Sequence, residues 1–185
     1  SSTSRGLGDV YKRQAVDSSK FNIAPKDKKL ESELGFEGKV VIGYIGSFVE
    51  YEGLDLLLEA CSILKEKHGD IFRLLLVGDG DTMQLLRRTA RFLQLEDQVV
   101  FTGRIPHDDV QRYYSLIDIA PLPRKGLRVC ELVSPLKPFE AMGAGKVLIT
   151  SSVQALAEIV EDGVTGMIFE KDNSEDLAIK LETAI

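Results

Sequence analysis

Residues 40–46 read Val40-Val41-Ile42-Gly43-Tyr44-Ile45-Gly46, a continuous apolar run rich in β-branched side chains and closed by glycine. A strand with one wet face alternates apolar and polar residues. A strand covered on both faces does not, so this run predicts the centre of a parallel sheet. The same rhythm repeats outward from it. Leu54, Leu57, Leu58, Cys61 and Leu64 recur at helical spacing across 53–68, and His68-Gly69 closes that helix. A second strand is expected at 71–77, then a Gly78-Asp79-Gly80 turn and a helix over about 82–94. Further strands are read at 98–101, 118–122, 146–150 and near 166–169. Helices are read at about 106–116 and 135–142, near 153–160 and from about 175. Strands alternating with helices imply right-handed βαβ units. The expected fold class is therefore α/β, a doubly wound, Rossmann-like parallel sheet in a single domain. Ligands of such sheets bind beyond the carboxyl ends of the strands, which points to the loops after Gly46, Val77, Phe101 and Leu122.

Composition agrees with a cored globule. Of 185 residues, 44% are apolar and 28% charged, far from the make-up of a disordered chain. A net charge of −6 argues against a general nucleic-acid binder or a polybasic membrane-surface module. No apolar run approaches the roughly 18–20 residues of a spanning helix, and no secretory leader opens the chain. Cys61 and Cys130 show no ligand spacing, and His68 and His107 are the only histidines. Neither a disulfide scaffold nor a metal site is expected, and the matching compartment is the cytoplasm. The start Ser1-Ser2-Thr3, without Met, reads as a piece of something larger. Residues 1–14 (SSTSRGLGDVYKRQ) read as a foreign or tag-like disordered segment. Residues 15–37 carry isolated anchors (Val16, Phe21, Ile23, Leu30) and read as a surface lead-in, with the domain proper at 38–185.

Several constellations could carry chemistry. Gly46 and Ser47 after the first strand, and Gly78 and Asp79 after the second, could bring backbone N–H groups to a phosphate; equally, they could be plain turns. A stronger signal lies between Pro121 and Lys146. There Arg124, Lys125, Arg128, Lys137 and Lys146 outnumber Glu131 and Glu140, concentrating positive charge in an acidic domain. Arginine forks suit phosphate oxygens. Ser134-Pro135 reads as a cap and first turn whose free N–H groups, with Lys137, would cradle a diphosphate; a solvated basic loop is the alternative. Glu140 sits where a carboxylate could accept hydrogen bonds from ribose hydroxyls. Glu131 could contact a sugar hydroxyl or a developing charge, and either glutamate could merely neutralise Lys137 or Arg128.

With these residues in place, the chain from about 15 to 185 resembles the C-terminal domain of family 4 (group 1) GT-B glycosyltransferases. The matching stretches include GYIGSFVEYEGLDLLLEA (43–60), LLLVGDG (74–80), VVFTGRIPHDDV (99–110), PLPRKGLRVCELVSPLKPFEAMGAGK (121–146) and EDGVTGMIFE (161–170). The resemblance implies the donor half of a two-domain enzyme that transfers a sugar from a UDP- or GDP-type donor. Transfer would be retaining and metal-independent, with no cofactor, and the half alone would be inactive for want of its N-terminal acceptor-binding domain. It places Glu140 on the ribose, Glu131 as the catalytic carboxylate, and Leu136 and Lys137 of the PLKP segment at the diphosphate. Arg104 and Ile105 would lie against the base, and Gly78 and Asp79 at the cleft edge.

Two departures stand out. Where the family often carries Arg and Lys, this chain has Ser47 and Glu52, and the basic loop (Arg124, Lys125, Arg128, Lys137) is expected to replace them. Glu131 also sits one residue out of the family's register, which would put Leu132 in its place. The expected partners are a nucleotide-sugar donor and the acceptor domain, with no nucleic acid and no membrane span; by the resemblance, the full-length enzyme would be cytoplasmic or peripheral to a membrane, with any membrane contact placed in the acceptor half. The other functions weighed are a non-catalytic interaction domain and a sugar-nucleotide epimerase half.

Overall fold

A computed structural model describes residues 23–128 and 137–185. The tag-like segment 1–14, the first part of the lead-in, and Glu131, Ser134, Pro135 and Leu136 lie outside the described residues. Six strands form one sheet: β1 (Val40–Ile45), β2 (Phe72–Val77), β3 (Val99–Gly103), β4 (Ile119–Leu122), β5 (Val147–Ser151) and β6 (Met167–Phe169). Their order is β3-β2-β1-β4-β5-β6, and every pairing is parallel. This is the doubly wound order expected from the sequence, with the chain reversing direction across the sheet between β1 and β4.

The helices cover both faces: α1 (Lys28–Leu34), α2 (Leu54–His68), α3 (Met83–Phe92), α4 (Val110–Leu116), α5 (Lys137–Gly143), α6 (Gln154–Ala157) and α7 (Ser174–Ala184). The periodic leucines of α2 do what their spacing requires. Leu54, Leu57, Leu58, Cys61 and Leu64 are all buried, and burial pushes the Cys61 thiol well above its usual range. At its end His68 and Lys67 meet Glu182 of α7 at 3.2 and 3.9 Å, joining the last helix to the first crossover. The cap of α7 is the Asn173 side chain, which accepts the Asp176 N–H.

Three sequence expectations need correction. The lead-in is not purely a surface segment, because α1 forms within it and buries Leu30 and Phe36 in the core. Asp27 caps this helix by accepting from the Leu30 N–H, and Gly35, in the left-handed region at φ 71°, ends it. A single short helix shows no periodicity, so only its caps could have announced it. The lead-in is also latched to the body: Arg112 donates to Asp27 at 2.8 Å, and Lys26 lies 3.1 Å from Asp118. Second, the helix read at 153–160 shortens to Gln154–Ala157. Third, the one read from 106 opens as a 3₁₀ turn at His107–Asp109 before α4 begins.

Two features of the sheet shape its carboxyl edge. Pro121 lies inside β4, where it has no N–H to donate. β4 pairs with β1 only at Ile42–Ile119, whereas four successive pairs join it to β5. The pairing of β1 with β4 therefore stops short of their carboxyl ends, at the point where the topology reverses. One strand over, Gly78 has φ 134°, and a Cβ there would stand 1.9 Å from the carbonyl oxygen of Gly46. Gly78→Ala is accordingly expected to cost about 3 kcal/mol through backbone overlap and left-handed strain, read as a lower urea midpoint at unchanged slope.

Candidate functional site

The crevice beyond β1 and β4 is where an open α/β sheet holds its ligand. Its floor is backbone. Gly46 N–H donates to the Val77 carbonyl at 3.0 Å, Phe48 N–H to the Asp79 carbonyl at 2.9 Å, and Gly78 N–H to the Gly103 carbonyl at 3.1 Å. The loops after β1, β2 and β3 are thus knitted into one ledge. Ser47 and Asp79 are exposed on it, and Asp79 holds its own turn by accepting the Gly80 N–H. Arg104 is exposed and Ile105 half-buried where β3 ends.

Lys137, the first residue of α5, reaches back over this ledge. Its ammonium stands 5.5 Å from the Tyr44 ring centre, and a Cβ on Gly46 would fall 2.8 Å from Nζ. Among the described residues no carboxylate lies within ion-pair distance of it. A cation resting on an aromatic face, with no ion-pair partner among the described residues, is prepared for an anion. Tyr44 is itself fixed, donating its hydroxyl to the Ser47 carbonyl at 2.8 Å. Burial, and after it the Glu52 charge, push the Tyr44 phenol far above its usual range, so it stays neutral. Three residues along α5, Glu140 is half-buried and accepts from the Tyr114 hydroxyl at 3.3 Å. Burial, followed by the Glu140 charge, pushes the Tyr114 phenol up as well.

The other expected cations are placed differently. Arg124 Nη2 lies 3.2 Å from Glu52 Oε1, with its guanidinium 5.6 Å from the Tyr51 ring centre. This pair is largely buried, at 12% and 3% exposure. Lys125 is 3.0 Å from Asp55 and 4.0 Å from Glu50. Both therefore staple the loop after β4 onto the turn before α2, and Lys137 stands apart from them. The opposite edge of that loop is held by the Gly126 N–H, which donates to both Asp172 carboxylate oxygens. Arg128 is exposed beyond it. The acidic Glu52 thus finds its cation on the neighbouring strand's loop. Tyr44 and Tyr114 were not singled out from the sequence, and Glu52 was marked there only as a departure, since nothing local reveals a partner 26 or 72 positions away.

The Glycosyl transferases group 1 family model matches residues 25–185. The chain belongs to that family. It is 27% identical over 167 residues to the amylovoran biosynthesis glycosyltransferase AmsK of Erwinia amylovora, covering 90% of this chain and 39% of that protein. With an uncharacterized glycosyltransferase of Haemophilus influenzae the identity is 30% over 166 residues, covering 88% and 43%. The chain thus spans about two-fifths of the length of these relatives. Among solved structures, the C-terminal domain of the group 1 glycosyl transferase LpcC from Francisella tularensis superposes with a TM-score of 0.75 at 22% identity, over 91% of this chain and 86% of that one. Alr3699/HepE of Anabaena, solved with UDP-glucose, gives 0.78 at 24% identity, over 91% and 45%. This glycosyltransferase chain has the Rossmann-like fold of a GT-B C-terminal domain. Among its described residues no helix is long and apolar enough to cross a membrane.

Proposed function

We propose that this chain is the donor-binding half of a retaining, metal-independent glycosyltransferase and that it holds a nucleoside-diphosphate sugar in the crevice between β1 and β4. The observation that carries the reading is the ammonium of Lys137 over the Gly46 ledge, without an ion-pair partner among the described residues, with Glu140 on the same helix. The diphosphate would lie against Lys137 and the ribose hydroxyls would donate to Glu140, whose second role is to keep Tyr114 engaged. During transfer the bond from the sugar's anomeric carbon to the diphosphate breaks, and its electron pair stays on the phosphate oxygen. A fixed cation at that oxygen stabilises the charge as it develops. The new bond forms to an acceptor hydroxyl, supplied in this reading by a second domain. The half alone then binds donor without turning it over. The structural neighbour Alr3699/HepE was solved with UDP and with UDP-glucose, ligands of the class proposed here, and the donor would be of UDP or GDP type.

Calorimetric titration of this chain with UDP, GDP and ADP tests the proposal. One of the three should bind, and more weakly as salt rises. Silence from all three would favour an interaction domain that kept only the fold. Glu140→Gln keeps the volume and the Tyr114 contact while removing the charge, and should weaken binding about tenfold.

A further inference from the structure

Net charge conceals a strong segregation. Helix α3, sequence MQLLRRTARF over Met83–Phe92, carries three arginines and no acidic residue, although the chain as a whole is −6. Its inner face is ordinary, with Met83, Leu86 and Ala90 in the core. Its outer face is not. At 100° per residue the exposed arc runs from Arg91 through Gln84 and Arg88 to Phe92 and Leu85. Phe92 is 86% exposed and Leu85 54% exposed. Among the described residues no carboxylate lies within ion-pair distance of Arg88 or Arg91. On the Arg91 flank a cleft of about 390 Å³ opens toward the edge strand β3, between Arg87, Arg91, Val99 and Phe101, with the carboxylate Glu96 also on its wall. Arg87 is held there, its guanidinium 4.8 Å from the Phe101 ring centre.

We propose that this face of α3 docks on an anionic lipid surface, with headgroup phosphates against Arg87, Arg88 and Arg91 and with Phe92 and Leu85 in the acyl boundary. Basic and apolar residues along one exposed helical arc are what an interface between water and hydrocarbon selects. Charge complementarity names the occupant. The anionic bilayer attracts this helix, the most basic among the described residues, and repels the acidic remainder, so the sum that argued against membrane contact becomes the device that orients it. Leu85 also borders a cavity with Val49 and Lys125, whereas Arg88, Arg91 and Phe92 do not line it, and the proposal does not depend on what the crevice binds.

Vesicle flotation of the full chain tests it. The chain should float with phosphatidylcholine vesicles containing about 30% phosphatidylglycerol, and not with phosphatidylcholine alone. Each arginine near the surface contributes about fivefold to partitioning, so R88E/R91E should reduce it by more than about 25-fold, and higher salt should mimic that loss. F92S should reduce it several-fold at any salt. All three side chains are exposed, so the variants should keep the parent's thermal midpoint; R88Q/R91Q replaces the double reversal if it does not, with a smaller loss of the same sign. Failure of the parent to float would overturn the proposal, as would undiminished floating of the variants. So would a parent dimer in sedimentation equilibrium that R88E/R91E dissolves without any vesicle binding, since α3 would then meet a second copy of the chain.

Discussion

Arg124→Ala is expected to remove about 3–5 kcal/mol of folding stability and to lower the melting midpoint by roughly 10 °C. The size follows from what is left behind. Glu52 is only 3% exposed, and its charge is matched at 3.2 Å by a guanidinium that is itself largely shielded. Removing the cation strands a buried carboxylate, which is costlier than the pair is beneficial. Replacing both residues by Met should come much closer to the parent, because neither charge is then buried. Thermal denaturation of the three proteins checks this. A loss below about 1 kcal/mol in the single variant would mean that Glu52 reaches water, and the staple would be dismissed. Nucleotide affinity measured well below the midpoint should change by less than about threefold in Arg124→Ala, since this arginine holds the loop and faces its own carboxylate.

Lys137→Ala should behave in the opposite way. Stability should fall by less than about 1 kcal/mol, because Lys137 makes no ion pair among the described residues. Nucleoside-diphosphate affinity should fall roughly 10- to 100-fold, the worth of one charge-assisted contact to phosphate. Lys137→Arg should recover part of it. Calorimetry on the alanine variant reads the effect directly, and an unchanged affinity would remove Lys137 from the diphosphate site.

The parts legible in the sequence were those whose cause is local. The run at 40–46 announced a doubly covered strand because both of its faces are apolar, and β1 lies at the centre of the sheet. The relation between Lys137 and Glu140 was legible for a similar reason, since three positions along one helix fix it. The ion pairs of Arg124 and Lys125 were not legible, because a sequence shows the excess of cations but not the carboxylates folded against them. Glu52 is 72 positions from Arg124, and only the parallel neighbours β1 and β4 bring them together. The same limit hid Tyr114 beneath Glu140, and it hid α1, whose burial depends on packing rather than period.

The single ladder pair between β1 and β4 has a mechanical meaning. The sheet divides into two halves, β3-β2-β1 and β4-β5-β6, joined by that one ladder pair, by the hydrogen bonds between Val41 and Asp118, by the Arg124 and Lys125 staples and by the contact between α2 and α7. Openings smaller than global unfolding concentrate where few backbone bonds must break. Here the line with the fewest ladder pairs runs beside Pro121 to the crevice. A ligand spanning both halves, resting on the Gly46 ledge and held by α5, would add a further stitch, and the seam would be stiffened by what it binds.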